Sequence, residues 1–431
     1  MKRVVVTGIG AVSPLGNSFY DSWEAAKAGL SGIRPITKFD ASEMRWKVAG
    51  ELKGFDEGRY LSLKEINRLD PFVHYAVTAA MMAAEDAGLI SNEQRAMSKE
   101  HKTKTIERAS GKTDYLTSGG VLIGSSRGGI STIERELQKI YLSNMTHQPS
   151  HISAYVMPST TISMASSTVA QKLGIKGYCL GISNACASGT NAIGEAYRLI
   201  SSGYQGPVLC GGTEAPVCRV CVEGYGASGA LSRVNDSTAS RPFDRTRDGF
   251  VIAEGACILV LEDYEYALKR GAKVYGEIIG YGNTTDAFHQ TIPFPEGEAR
   301  AIEIALIEKG LYPQDVDYIN AHGTSTPLGD KTETKTIKIV FDKKAKEIPV
   351  SAVKSMTGHM LAASGALEAA FTLMSMKEGI IPPTINLKES DPECDLDYVT
   401  ELRRVNIDVA ISHSFGFGGV NAVLVFKKLS V

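Results

Sequence analysis

No apolar run in the sequence reaches the length a membrane span needs, so a helical membrane protein is excluded as an expectation. Neither charge is in excess. Lys and Arg number 46 against 48 Asp and Glu, for a formal net charge of −2, which leaves no global basic field for nucleic acid or an anionic membrane. Cysteines are few and odd in number, at 179, 186, 210, 218, 221, 257 and 394. That spacing is not a disulfide framework and points to a reducing cytoplasm. Cys218-Arg-Val-Cys221 has C-x-x-C spacing without a second pair at zinc spacing, so no metal is expected. The first ten residues lack the long apolar region and cleavage site of a signal peptide. Thr7-Gly-Ile-Gly10 has two glycines of a dinucleotide fingerprint. It lacks the third, and it lacks the acidic residue after a second strand, which argues against a nucleotide cofactor.

What is present is a long chain rich in glycine, with 431 residues and 43 Gly, and 43% hydrophobic residues. This suits two or three domains, or one large fold with internal duplication. Arg3 to Thr7 reads as a buried strand running into a Gly turn, and Lys273 to Gly282 repeats that form. Further strands are expected at 121–124, 178–182, 208–213, 250–262 and 316–321, with 409–412 as the last. Helices are expected over 17–28, 63–88, 130–145, 191–200, 264–271 and 300–309, with a start near Pro158 and an Ala-rich helix after His359. The reading is a duplicated α/β fold with halves 1–265 and 266–431. Ser91 to Gly120 breaks the pattern. It carries Arg95, Lys99, Lys102, Lys104, Arg108 and Lys112, and reads as a solvated excursion or a docking patch for an acidic partner.

The centre of the chain is Gly181-Ile-Ser-Asn-Ala-Cys186-Ala-Ser-Gly-Thr190. A strand, a turn of small residues and a helix lift a side chain to a helix N-terminus. There, free N–H groups favour a thiolate and can face an oxyanion. A buried structural cysteine fits the same residues, so partners must decide. His322 ends a strand ahead of Gly-Thr-Ser-Thr. There a histidine can donate to a thioester oxygen or an enolate, and Thr324 and Thr326 can bond an amide-bearing arm. His359 follows a Gly ahead of the Ala-rich helix. Phe415-Gly-Phe-Gly-Gly419 sets two aromatics on a flexible turn. Each histidine alone fits a structural role; together with Cys186 in glycine-rich turns they point to catalysis.

With these residues in hand, the chain resembles the β-ketoacyl-acyl-carrier-protein synthases of the thiolase superfamily, in particular the elongating synthases I and II. The stretches that carry the likeness are Val4 to Gly8, Ala185 to Gly189, Ser240 to Asp244, Arg247 to Phe250, His322 to Pro327, Lys354 to His359 and Ser414 to Gly419. The resemblance implies a duplicated thiolase-type five-layer α-β-α-β-α fold. It implies that Cys186 takes an acyl group from a carrier protein, while His322 and His359 stabilise the enolate of decarboxylating malonyl-carrier protein. It gives the oxyanion hole to the N–H groups of Cys186 and Phe417 and the gate to Phe417, next to Phe415. Thr324 and Thr326 match its pantetheine contacts. Lys354, Glu333 and Asp330 form a supporting charge network or a structural ion pair. Tyr225 lines the acyl pocket or is a core residue. No cofactor is implied, because phosphopantetheine arrives on the carrier protein. A homodimer is implied, with the active half of a heterodimer as the alternative.

Several residues depart from the family pattern. Arg127 stands in Gly124-Ser-Ser-Arg-Gly-Gly129 where the family carries an apolar residue lining the acyl pocket. His413 replaces Asn, Val420 replaces Thr and Asn184 replaces Thr. These departures raise a second reading, a ketosynthase of a specialised type II pathway making a polyketide, polyene or unusual lipid. A thiolase is disfavoured by the His322-Gly-Thr-Ser-Thr stretch, and a non-catalytic chain-length factor by the presence of Cys186.

Overall fold

In the computed structural model the described residues are 1–90, 112–308 and 310–429. Its main sheet has eleven strands: β1 Val4–Val12, β2 Gly120–Gly124, β3 Cys179–Ile182, β4 Val208–Glu214, β5 Gly255–Asp263, β6 Gly276–Thr285, β7 Tyr318–Asn320, β8 Pro349–Ser351, β9 Asp397–Tyr398, β10 Val409–Gly416 and β11 Val420–Lys427. The order across the sheet is β9-β8-β7-β10-β11-β6-β1-β5-β4-β2-β3.

That order repeats. Running from β3 inward, the strands are the third, second, fourth, fifth and first of the leading half. Leaving out the two-residue edge strand β9, the order from β8 inward is again the third, second, fourth, fifth and first strands of the trailing half. In each half the first three in that order pair parallel, and the last two pairings are antiparallel. The halves meet where β1 pairs antiparallel with β6, Val4 opposite Ile278.

The helices that position the site are α1 Pro71–Asp86, α2 Ile130–Thr146, α3 Met164–Leu173, α4 Ser188–Ser201, α5 Arg219–Ala227, α6 Pro295–Ile307, α7 Pro327–Phe341 and α8 Ala362–Glu378. α1 packs on the strands of the leading half and α6 on those of the trailing half. α4 and α8 pack on each other and on strands of both halves. They are the middle layer of the five-layer α-β-α-β-α arrangement. α8 is buried over all but its last two residues, as an Ala-rich helix without a polar face must be.

The glycine pairs have a different role from the one their spacing suggests. β1 does not stop at a Gly turn but runs through Gly8 and Gly10 to Val12. A Cβ on Gly8 would lie 2.3 Å from the Ala83 carbonyl oxygen, and one on Gly10 would lie 2.1 Å from that of Ala79. In the trailing half, Gly280 and Gly282 meet Ala305 and Ala301 of α6 at 2.0 and 1.8 Å. Both Gly-x-Gly pairs therefore let a helix lie directly on the first strand of its half, with alanines four apart beneath it.

Other boundaries also moved. The expected helix 63–88 is interrupted, with Pro71 starting α1 under an Asp70 cap after a single turn at Leu63–Ile66. Pro158 lies inside the short helix Val156–Thr160, and α3 begins later. Phe250, Ile252 and Ala253 form isolated bridges rather than a strand. Val409 to Ser412 is not the final strand. β10 continues through His413 to Gly416, turns, and returns as β11, whose Val423, Val425 and Phe426 are fully buried. The basic stretch from Ser91 lies outside the described residues as far as 111.

Candidate active site

Cys186 sits between β3 and α4. Ala185, just before it, holds a left-handed backbone with φ 47°. The same device recurs beside the other two residues: Ser325 (φ 68°) is three past His322, and Leu361 (φ 47°) is two past His359. Each such residue costs on the order of 1–3 kcal/mol, held by the surrounding packing.

The turn carrying His322 is fixed by Glu333 of α7. One carboxylate oxygen accepts the His322 N–H at 2.7 Å and the other the Gly323 N–H at 2.8 Å. His359 is pinned by the leading half: its N–H donates to Val251 O at 2.7 Å, and its carbonyl accepts from Ala253 N at 3.0 Å. The two imidazoles meet edge to face with centroids 5.4 Å apart.

The His322 proton position follows from its partner. Lys354 Nζ lies 3.3 Å from His322 Nδ1 and donates to the His322 carbonyl at 2.7 Å. An ammonium has only donors, so Nδ1 accepts and the proton sits on Nε2. Ser364 Oγ accepts from Met360 N at 2.9 Å and lies 3.1 Å from His359 Nδ1. Its hydroxyl can donate to Nδ1 or accept from it, so Ser364 fits either neutral tautomer of His359. Burial first, and the Lys354 charge second, hold both histidines well below the ordinary histidine range. The result is a pair of neutral N–H donors.

The thiol departs from the expectation of a thiolate. Cys186 is pushed up to about 11 by burial, and the opposing pull of Lys354 and Arg127 does not offset this. The Phe417 backbone N–H lies close enough to draw the thiol slightly back down. Gly416 lies against the Cys186 backbone, since a Cβ there would be 3.2 Å from its nitrogen. The Gly416–Phe417 turn therefore lies directly against Cys186. Phe417 is 39% exposed at the surface, and Phe415 is buried against His322 with centroids 6.0 Å apart. Thr324 and Thr326 face each other with hydroxyls 2.9 Å apart, and Thr326 also caps α7.

The expected charge network of Lys354, Glu333 and Asp330 is corrected. Lys354 pairs with Glu368 of α8, and both are buried. Glu333 instead holds the His322 turn and accepts from His413 Nδ1 at 3.0 Å. Asp330 is separate. It accepts from Phe243 N and Ser325 N and pairs with Arg247 at 3.3 Å; burial raises it to about 7. Glu368 had one signal in the sequence, a single charge inside the otherwise uncharged stretch Ala362 to Met376. Ser364 and Glu214 had none. The buried Glu214 carboxylate binds Ser125 Oγ, Ser126 Oγ and N, Arg127 N and Ala362 N, tying the turn after β2 to the start of α8. Arg127 and Tyr225 come together: Arg127 Nε donates to the Tyr225 hydroxyl at 2.9 Å. Cys218 and Cys221 are buried at the start of α5 in the apolar cluster that also holds Cys186.

Known families match almost all of this chain. The beta-ketoacyl synthase N-terminal domain matches residues 1–267, and its C-terminal domain matches residues 275–388. The chain belongs to the β-ketoacyl synthase family. It is similar to the 3-oxoacyl-[acyl-carrier-protein] synthase 2 of Synechocystis sp., at 48% identity over 432 residues, covering 99% of this chain and 98% of that one. Among solved structures it is similar to the ishigamide ketosynthase/chain length factor, with TM-score 0.89, 33% identity and full coverage of both chains. It is also similar to the AntDE ketosynthase, solved with its type II polyketide acyl-carrier protein and bound to a hexaketide. There the TM-score is 0.85 and the identity 32%, covering 99% of this chain and all of that one. As a β-ketoacyl synthase the chain is a condensing enzyme of the acyltransferase type, on a thiolase-type fold.

Proposed function

We propose that this β-ketoacyl synthase joins an acyl group held on Cys186 to malonyl-carrier protein, giving 3-ketoacyl-carrier protein and CO₂ in fatty-acid biosynthesis. Residues 1–265 supply the nucleophile and residues 266–431 both histidines. The observation that supports the reading is a pair of buried neutral histidines with centroids 5.4 Å apart, together with a Gly416–Phe417 turn packed against Cys186.

In the first step the Cys186 sulfur attacks the thioester carbon of an acyl-carrier protein. The new S–C bond replaces the old one, and the thiol proton ends on the departing pantetheine. The tetrahedral oxyanion is held by the N–H groups of Cys186 and Phe417. Thr324 and Thr326 bind the pantetheine arm, and Phe415 and Phe417 gate its entry. In the second step the C–CO₂ bond of the malonyl group breaks and its electrons pass into the thioester as an enolate. His322 and His359 donate to the enolate oxygen without protonating its carbon. That carbon attacks the acyl-Cys186 carbon, and collapse expels the sulfur, which takes up one proton. Lys354, paired with Glu368, fixes the His322 tautomer, and Glu333 fixes its backbone. The chemistry is completed by these side chains without a metal or other bound cofactor.

An acidic carrier protein is the expected partner near the pocket mouth, and the AntDE ketosynthase is solved with its own acyl-carrier protein. A homodimer is supported by two features. β3 is an edge strand with Leu180 exposed and Tyr178 exposed just before it, and α2 exposes Leu137, Tyr141, Leu142 and Met145. Among the described residues no helix is long and apolar enough to cross a membrane, and a cytoplasmic site is proposed. The specialised-pathway reading draws on Arg127, while the name of the Synechocystis relative favours fatty-acid synthesis.

The test is intact-mass detection of acyl transfer from acyl-carrier protein to the wild type and to Cys186→Ala. Acylation of the wild type alone supports the reading; acylation of both at equal rate overturns it.

A further inference from the structure

The proposed reaction divides the work between a carrying sulfur and an enolate-stabilising pair, and the inference drawn here rests on that division. It concerns His413, one of the chain's departures from the family pattern, where Asn is usual. Glu333 of α7 is a buried carboxylate that meets three donors. Its Oε2 accepts the Gly323 N–H at 2.8 Å. Its Oε1 accepts the His322 N–H at 2.7 Å and faces His413 Nδ1 at 3.0 Å. As an ionised carboxylate Glu333 only accepts, so Nδ1 of His413 carries a proton. The His413 ring is the one side chain among these donors, and the other two are the main chain of the His322 turn.

His413 is fully buried in β10, and side chains of that strand alternate between two faces. His413 and Phe415 share the face toward His322. The Phe415 ring lies 5.3 Å from His413 and 6.0 Å from His322, centroid to centroid. Ser414, between them, looks the other way. Its Oγ lies 2.7 Å from Thr190 Oγ1 of α4, the helix that follows Cys186. Gly416, two residues on, packs against Cys186 itself. One strand therefore touches the nucleophile through Ser414 and Gly416, and the enolate-stabilising histidine through His413 and Glu333. The arm-binding threonines are anchored apart from this link. Ser325 N–H between them goes to Asp330, and Thr326 caps α7.

We infer that His413 is a positioning residue for His322: through Glu333 it holds the His322 turn to the strand that also packs on Cys186, so that enolate formation depends on it while acyl loading and carrier-protein binding do not. A donor displaced by about 1 Å can cost on the order of a hundredfold in rate, which is why a side chain behind the reacting groups matters.

The experiment compares wild type with His413→Leu, His413→Phe and His413→Asn. Each is scored for CO₂ release from malonyl-carrier protein and, by intact mass, for acylation of Cys186. Leu and Phe remove the donor, and Phe keeps a ring against Phe415. Asn places an amide N–H the same number of bonds from the main chain as Nδ1. Both Glu333 oxygens keep a backbone donor in every variant, so folding is expected, and circular dichroism checks it. The donor-free variants are expected to release CO₂ with kcat about tenfold or more below wild type, the size of one hydrogen bond to a charged group. Their KM for malonyl-carrier protein and their acylation rate should stay near wild type, and His413→Asn should restore most of kcat. Wild-type kcat in a folded donor-free variant overturns the assignment. So does an equal loss of acylation and CO₂ release, which marks a merely structural role, or an Asn variant as slow as Leu. Wild type that releases no CO₂ overturns the proposed reaction itself, and the role of His413 with it.

Discussion

Removing the Lys354 ammonium strands the Glu368 carboxylate inside α8, where one of its oxygens already has no partner. Lys354→Met is therefore expected to cost about 3–5 kcal/mol in urea unfolding, since a buried charge is left uncompensated. Lys354→Met with Glu368→Leu should recover much of that loss, while the His322 tautomer stays unfixed and decarboxylation stays low. A Lys354→Met protein as stable as wild type would contradict the pairing. The thiol gives a second expectation. With Cys186 raised to about 11, its alkylation by iodoacetamide should keep accelerating through alkaline pH rather than level off near neutrality. Cys186, His322 and His359 were legible because each stands in a turn of small residues or glycines, which sequence displays directly. Glu368, Ser364 and Glu214 were hidden because their partners lie 14 residues or 5 residues or about 90 residues away and are chosen by packing. The thiolate expectation failed for a related reason: a helix N-terminus is visible in sequence, and desolvation is not.

Elements show the duplication more clearly than residue identity does. The Gly-x-Gly pairs of β1 and β6 carry the same load against α1 and α6, so Gly10→Ala and Gly282→Ala are expected to destabilise alike. Each should cost at least about 1–3 kcal/mol in urea unfolding, because backbone oxygen lies within 2.1 and 1.8 Å of the added carbon. Gly224→Ala in α5, with nothing within 4 Å, serves as the neutral control. A mild Gly282→Ala would contradict the account of helix contact. Sequence reading found most strands because buried β-branched runs announce themselves, and it saw the matching glycine pairs. It took them for turns, since the facing helix lies about 70 residues away from β1 in the chain. It lost β11 because the glycines after Phe415 read as an end, whereas they are the bend of a hairpin.

Across the whole molecule, the buried histidines tie stability to pH. Unfolded histidine titrates near 6.5, and in the fold His322 and His359 lie well below that. Below about 6.5 the unfolded chain takes up protons that the folded chain refuses. This contribution is full above that pH and is lost as pH falls toward the depressed folded values. The urea midpoint should fall from about pH 7 to about pH 5, and His359→Gln should flatten the fall; an equal slope in both would contradict it. The proposed reaction depends on the same two-half assembly, since it takes its nucleophile and its donors from opposite halves. The most direct test of that division is CO₂ release from malonyl-carrier protein, measured beside acyl transfer. Cys186→Ala should lose acyl transfer and still release CO₂, whereas His322→Ala and His359→Ala should accept the acyl group and release little. If Cys186→Ala loses both activities while the histidine variants keep CO₂ release, the division between a carrying sulfur and an enolate-stabilising pair is wrong.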